Sequence, residues 1–151
     1  MPSAVPVLNP RAARTRAAML AVGFDLLAER PIDAIAIDDI VARAGVAKGS
    51  FFNHFTDKQG FASEIGAQVR RELEQRVGLA NAGVSDPVVR LAGGMRVAVE
   101  FALSERSRAI VMLRGLELST GIDHDLNRGI RADIEALMLV STIKDDGGLP
   151  L

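Results

Sequence analysis

The chain of 151 residues contains no cysteine, tryptophan or tyrosine and only two histidines. The absence of cysteine excludes disulfides, thiolate nucleophiles and thiolate metal ligands, and it is typical of proteins in a reducing compartment. No apolar run approaches the roughly 20 residues of a membrane-spanning helix, and residues 1–10 lack the charged and apolar blocks of a signal peptide. We therefore expect a cytoplasmic protein without a membrane partner.

Motifs of catalysis are missing as well. The sequence has no glycine-rich phosphate loop, no paired-histidine zinc motif and no nucleophile elbow. Carboxylate pairs such as Glu72 and Glu74 lie two residues apart on a predicted helix, so their side chains face different directions. We expect neither an enzyme, nor a metal site, nor a bound cofactor.

Apolar residues recur at helical spacing along most of the chain. Pro31 ends the first predicted helix, and Gly45 allows the left-handed turn that ends the second. No segment has the alternation typical of a strand, so the predicted fold is all-α. The helices are predicted over about 11–29, 37–44, 47–55, 58–80, 87–103, 107–119 and 123–140, followed by a frayed tail from Ser141 onward.

Aromatic residues are concentrated in one short region. Four of the six phenylalanines lie within eleven residues, and Phe51 and Phe55 share one face of a helix. We expect Phe24 of the first helix to face these rings. This core predicts an N-terminal domain over residues 11–70, followed by a second helical domain over residues 71–151.

The segment from Asp38 to Phe55 has the layout of a helix-turn-helix, spanning about 36–55. A short amphipathic helix leads to a glycine turn, and a second helix begins with small residues and a lysine. A major groove admits such a helix when its first turn does not collide with the base edges. We therefore predict double-stranded DNA as the partner of this segment. The candidate DNA-binding residues are Lys48, Gly49, Ser50, Phe52, Asn53, His54 and Lys58.

Each polar candidate has a specific expected role. Lys48 supplies a cation for a phosphate or a guanine edge, and Ser50 and Asn53 exchange hydrogen bonds with bases or phosphates. His54 donates to a phosphate. Lys58 begins the next helix, where free backbone N–H groups and the positive end of the dipole favour a phosphate. The net charge of this region adds little to the prediction, because residues 9–58 carry seven basic and six acidic side chains.

The same segment resembles the tetracycline-repressor (TetR) family of transcriptional regulators. The family pattern is a glycine turn, a small residue, Lys-Gly-Ser/Thr, two bulky residues, a variable residue, His or Tyr, and Phe. The chain reads Gly-Val-Ala-Lys-Gly-Ser-Phe-Phe-Asn-His-Phe over residues 45–55, followed by Asp57 and Lys58. The resemblance covers about residues 11–69. It implies a sequence-specific regulator, a repressor released by a small-molecule effector, with an effector-binding and dimerising body after Lys58.

Three positions depart from the family pattern. Phe52 replaces a tyrosine whose hydroxyl reaches a phosphate, and Ala36 replaces a serine or threonine that caps the second helix. Asp38 occupies a position that is often basic or neutral, where a carboxylate would repel a nearby phosphate. Together these departures predict weaker non-specific affinity for DNA.

The body after Val69 carries weaker signals. Met95, Phe101, Met112, Leu113 and Leu116 are the candidate lining of a site for an apolar effector, and plain core packing is the alternative for each of them. The resemblance also implies two further C-terminal helices that form the dimer interface. Only eleven residues follow Val140, which predicts a short variant or a truncated reading frame.

We expect a homodimer through the helices within residues 107–140, because their apolar positions exceed what a small body buries. These positions are Ile110, Leu113, Ile130, Ile134, Leu137 and Met138.

A helical protein-interaction module that does not bind DNA remains the alternative. The nearly neutral N-terminal region, Phe52 and the short body favour it. Binding to a promoter fragment that weakens steeply with added salt would distinguish a DNA-binding regulator from such a module.

Overall fold

The computed structural model describes the backbone of residues 9–118 and 125–145, and the side chains within 9–118 and 128–139. All regular structure in these ranges is helical, which confirms the prediction of an all-α fold. A 3₁₀ turn over Ile32–Ala34 separates the first two α-helices. The α-helices are α1 (Pro10–Glu29), α2 (Ile37–Ala44), α3 (Ser50–His54), α4 (Lys58–Ala80), α5 (Pro87–Ser104), α6 (Arg106–Leu116) and α7 (Asp125–Asp145).

Local capping signals fix several helix ends. The side chain of Asn9 accepts a hydrogen bond from the backbone N–H of Arg11 at 3.0 Å and begins α1. Asp86 caps α5 by accepting from the N–H groups of Val88 and Val89 at 2.8 and 3.2 Å. Helix α7 continues to Asp145, so the prediction of a frayed tail from Ser141 onward was wrong for its first residues.

The described residues form two compact units, which divide α4 after Gln68 and α6 after Ala109. The first unit contains the described residues up to Gln68 together with Ile110–Leu118. The second contains Val69–Ala109 and the described part of the chain beyond α6. No helix in the described ranges has both the length and the apolar character needed to cross a membrane.

The core of the first unit is built on three phenylalanine rings. Phe51 lies 5.4 Å from Phe55 and 5.3 Å from Phe61, measured between ring centroids. Gly23 of α1, rather than Phe24, faces this cluster, because a Cβ at Gly23 would lie only 2.6 Å from Phe61 Cε1. The expectation for Phe24 was wrong, because the side chains of Phe61 and Ile65 pack against α1 at Gly23.

Residues Ile110–Leu118 add the last helical turns of α6 to the first unit. Gly66 of α4 and Gly115 of α6 meet so closely that a Cβ on Gly66 would lie 2.6 Å from Gly115 Cα. Arg114 donates a hydrogen bond to the backbone carbonyl of Leu27, near the end of α1. That carbonyl is one of the acceptors that a helix end leaves without an intrahelical partner.

The second unit is held by apolar burial and ion pairs. Leu73 and Phe101 are 2% exposed, and the guanidinium of Arg76 lies 5.3 Å over the centroid of the Phe101 ring. A hydrogen bond to Glu105 raises the pKa of Arg76, with burial opposing and the carboxylate charge supporting the shift, so Arg76 stays charged.

Candidate nucleic-acid interface

The turn between α2 and α3 is fixed by backbone geometry. Gly45 adopts a left-handed conformation, with φ of 66°, which a glycine tolerates without strain. Its N–H donates to the carbonyl of Ala42 at 3.2 Å, and the N–H of Val46 donates to the carbonyl of Val41 at 3.0 Å. These bonds satisfy the end of α2 and redirect the chain toward α3.

Helix α3 buries one face and exposes the other. Phe51 is fully buried and Phe55, directly after the helix, is 6% exposed. On the opposite face the ring of Phe52 is 62% exposed, and Asn53 is also exposed. Ser50 and His54 are half-buried at the two ends of the helix. The predicted DNA-binding residues of α3 therefore lie on an anchored helix with an open outer face.

The residues before α3 form a turn, whereas the sequence predicted a helix from Ala47. Helix α3 begins at Ser50, whose N–H donates to the carbonyl of Ala47 at 2.9 Å and closes the turn. Lys48 and Gly49 are exposed within this turn. A Cβ placed on Gly49 would meet no atom within 4 Å. The turn that precedes α3 is consequently exposed to solvent and has open space around Gly49.

Lys48 has an acidic partner on α2. Its Nζ lies 3.0 Å from both carboxylate oxygens of Asp38. The two side chains are 76% and 64% exposed, so the ammonium group remains accessible from solvent. The neighbouring carboxylate of Asp39 pairs with Arg30 at 3.5 Å.

Lys58 and Asp57 have structural roles that the sequence did not predict. Lys58 Nζ donates to the carbonyl oxygens of Ile35 and Ile32, at 2.8 and 3.3 Å, and so ties α4 to the 3₁₀ turn. Asp57 accepts from the N–H of Gly60 at 2.6 Å. A carboxylate thus already occupies the end of α4 that we expected to favour a phosphate. The phosphate contact of Lys58 stays a prediction that rests on its third ammonium hydrogen.

Basic residues of α1 differ in their availability. Arg16 pairs with Glu64 at 2.6 Å and lies 4.8 Å over the ring of Phe55, so it supports the core of the first unit. Arg11 and Arg14 are exposed and make no ion pair among the residues that the structure describes. They are the cations of α1 that remain open to an anionic partner.

The second unit contains a cavity of about 280 Å³ between side chains of α4, α5 and α7. Met95 is the one predicted ligand-binding residue that lines it, whereas Phe101, Met112, Leu113 and Leu116 do not. Phe101 is 2% exposed and packs in the core, and Leu113 is 56% exposed. The full lining consists of Glu74, Val77, Gly78, Asn81, Arg90, Leu91, Gly94, Met95, Ala98, Gly129, Ile130 and Asp133.

Polar side chains that line the cavity are engaged in hydrogen bonds. Arg90 donates to Asp133 at 3.0 Å and to the carbonyl of Val84 at 3.2 Å. Asn81 Nδ2 donates to the backbone carbonyl of Arg90 at 3.0 Å. These residues could not be predicted from the sequence, because they come from separate helices and share no motif. The other residues of the lining are mostly apolar, so the space inside the cavity suits an uncharged ligand group.

Comparison with known proteins shows which family the first unit resembles. The family model described as "Bacterial regulatory proteins, tetR family" matches residues 19–65, from the middle of α1 into α4. Residues 19–65 are thus similar to the TetR family of bacterial regulatory proteins. The predicted resemblance is thereby confirmed.

Individual relatives agree with this assignment. The HTH-type transcriptional repressor DhaR of Mycobacterium sp. (strain GP1) is 34% identical over 68 residues, which are 45% of this chain. The match covers 34% of the repressor, so the chain spans about a third of that protein.

Two solved structures have the same fold. A protein from Shewanella sp. PV-4 assigned to the tetR family of transcription regulators has a TM-score of 0.60 and 16% identity, over 91% of this chain and 73% of its own. A gamma-butyrolactone receptor (ArpA-like protein) has a TM-score of 0.55 and 19% identity, over 95% of this chain and 91% of its own. These two likenesses concern the fold alone.

Proposed function

We propose that the protein is a sequence-specific DNA-binding transcriptional regulator of the cytoplasm that acts as a repressor. The observation that carries the proposal is the position of α3, which is anchored by the buried Phe51 and exposes Phe52 and Asn53 on its opposite face. The turn that precedes α3 also exposes Lys48 and Gly49. The name of the Mycobacterium relative, a transcriptional repressor, supports repression rather than activation.

The roles of the individual residues follow from their positions. Lys48, Gly49 and Ser50 enter the major groove first, and Asn53 hydrogen-bonds to a base edge or a phosphate. The exposed ring of Phe52 packs against the sugar-phosphate backbone, and His54 donates to a phosphate. Lys58 holds the 3₁₀ turn in place and offers its remaining N–H to the backbone of the duplex.

Replacement of Lys48 tests this proposal. We expect Lys48→Ala to weaken operator binding by roughly 1–3 kcal/mol if the ammonium contacts a base edge. If it contacts only phosphate, binding to all duplexes falls about equally and the salt slope decreases by roughly one. The measurement is fluorescence anisotropy with promoter and unrelated duplexes over a range of salt concentrations.

Arg96→Ala is the matched control for this experiment. Arg96 is also an exposed cation in an exposed ion pair, with Glu100 at 2.8 Å, but it lies on α5. The control removes the same charge outside the helix-turn-helix unit, and we expect it to leave binding almost unchanged. Equal affinity of Lys48→Ala and wild type on every duplex would remove Lys48 from the interface.

We also propose that the cavity of the second unit holds the effector, a small uncharged apolar molecule whose binding releases the DNA. Its ionic groups already have ion-pair partners, so a charged ligand would find no unpaired opposite charge there. Its volume of about 280 Å³ lies at the lower end of ligand sites. Met95 is the residue of the predicted ligand set that contributes to this site.

Straight-chain alcohols of increasing length provide a probe of the cavity. We expect the binding free energy to improve by about 0.8 kcal/mol for each CH₂ group until the cavity is filled. Ala98→Phe fills the cavity and should abolish binding in calorimetry. Ala102→Phe is the control on the exposed face of the same helix. Equal binding by the two variants would place the effector elsewhere.

A further inference from the structure

The ion pair between Asp38 and Lys48 joins the first turn of α2 to the turn that leads into α3. We propose that Asp38 limits the affinity of the protein for DNA by competing with the duplex for Lys48. The inference rests on the proposed function, because it concerns the same interface. It assigns a role to a residue that has no direct contact with DNA in that proposal.

The geometry brings the two groups together without help from other side chains. Ten residues separate Asp38 from Lys48, and the left-handed Gly45 reverses the chain between them. Both carboxylate oxygens lie 3.0 Å from the ammonium nitrogen. Since the backbone bonds of the turn fix its conformation, the pair forms again whenever DNA leaves.

The exposure of the pair indicates that it is not a structural element. Asp38 and Lys48 are 64% and 76% exposed, and ion pairs in such positions add little to stability. Lys58 gives the contrast within the same unit, because its half-buried ammonium binds two backbone carbonyls. Lys48 is therefore the lysine that can exchange its partner at little cost to the fold.

A phosphate that approaches Lys48 meets the carboxylate at the same time. The phosphate must displace Asp38 or share the ammonium with it, and two negative charges held a few ångströms apart repel each other. With the carboxylate of Asp38 beside it, Lys48 also neutralises a phosphate less completely and so releases fewer of the cations condensed on the DNA. Both effects lower the affinity for any duplex and reduce its dependence on salt.

The test is the full-length variant Asp38→Asn, measured by anisotropy with a random-sequence duplex over a range of sodium chloride concentrations. We expect it to bind about five- to tenfold more tightly than wild type at low salt, which corresponds to the charge repulsion removed. The plot of log K against log salt should become steeper by about one. The melting temperature should hardly change, because the pair is exposed.

Asp39→Asn is the matched control. Asp39 is the next residue in the same helical turn, but its carboxylate pairs with Arg30 rather than with Lys48. The control makes the same change in net charge and in the charge at the N-terminus of α2. We expect it to increase the affinity by less than Asp38→Asn and to leave the salt slope close to that of wild type.

A double variant ties the effect to Lys48. In the Lys48→Gln background, Asp38→Asn should tighten binding no more than Asp39→Asn does, because the competition for Lys48 has been removed and only the general charge repulsion remains. If wild type binds DNA and Asp38→Asn gains no more than Asp39→Asn, the inference is overturned while the proposed function stands. The same holds if the full gain of Asp38→Asn persists in the Lys48→Gln background. If none of the proteins binds any duplex, the proposed function is overturned and the inference with it.

Discussion

At the scale of single residues, the two glycines of the helix-turn-helix unit meet different requirements. Gly45 has φ of 66° and supports the left-handed end of α2. Gly49 has φ of −68° and ψ of −16°, a conformation that any residue adopts, and its surroundings are empty. The fold therefore explains Gly45 but does not explain Gly49.

We predict that Gly49→Ala leaves the protein as stable as before, or more stable by about 0.4–1 kcal/mol, because the unfolded chain loses freedom. DNA binding should nevertheless weaken at least about tenfold, since the added methyl group projects from the edge that enters the groove. Thermal unfolding and anisotropy on the same sample measure the two effects. Unchanged DNA affinity would contradict a close approach of this turn to the duplex.

Gly45→Ala serves as the counterpart. No atom lies within 4 Å of its added Cβ, so the strain comes from the backbone alone. We expect a loss of about 1–2 kcal/mol in the free energy of unfolding, the cost of a left-handed alanine. The pair of variants separates what the fold needs from what the interface needs.

At the scale of helices, α1 and α4 approach each other where α1 has no side chain. A Cβ on Gly23 would lie 2.6 Å from both Phe61 Cε1 and Ile65 Cδ1. We predict that Gly23→Ala destabilises the protein by about 1–3 kcal/mol through overpacking. Urea unfolding measures the loss.

Gly78→Ala is the control, because it is also a helical glycine but has open space around it. It should stabilise the protein by roughly 0.5–1 kcal/mol, as alanine in place of a helical glycine does. A stable Gly23→Ala variant would mean that the phenylalanine cluster rearranges freely to make room.

The ends of helices could be predicted where the residue that determines the end lies next to it in the sequence. Each such signal changes the backbone conformation or hydrogen bonding of the residues beside it. The signals are Pro31 after α1, Gly45 after α2, and Asp86 and Pro87 at the start of α5. The start of α3 was predicted three residues too early. Ala47 and Lys48 are compatible with a helix, but the turn closed by the N–H of Ser50 precedes the helix in the structure.

Contacts between distant residues left no such signal. Lys58 binds carbonyls of the 3₁₀ turn more than twenty residues before it, and the direction of its ammonium depends on how α4 packs. The lining of the cavity likewise combines side chains of three helices. The prediction from methionine and leucine content therefore found only one lining residue, Met95. The position of the helix-turn-helix candidates on α3 and the turn before it could be predicted because these residues are contiguous in the sequence, and their contacts with DNA stay a prediction.

At the scale of the whole molecule, exposed apolar side chains on α7 predict a partner. Ile130, Ile134 and Met138 follow one another at intervals of four residues and are 38%, 43% and 65% exposed. The three side chains form an exposed apolar stripe, a kind of surface that a partner can cover. We propose that a second copy of the chain covers it and that the homodimer binds two half-sites of an operator.

We predict a dimer in sedimentation at micromolar concentration and a monomer for the double variant Ile134→Glu, Met138→Glu. The monomer should bind the operator more weakly, because each copy then contacts a single half-site. Leu103→Glu is the control, an equally apolar and more exposed position on α5, at 80%. A wild-type monomer at all concentrations would refute dimerisation through α7.

The exposed ring of Phe52 has a practical consequence. The chain contains neither tryptophan nor tyrosine, so the protein has almost no intrinsic fluorescence of its own. Phe52→Trp introduces one indole at the outer face of α3, where the phenylalanine ring is 62% exposed and rests edge-on against Phe51. Its emission would report the arrival of a duplex on an otherwise dark protein, without any attached dye.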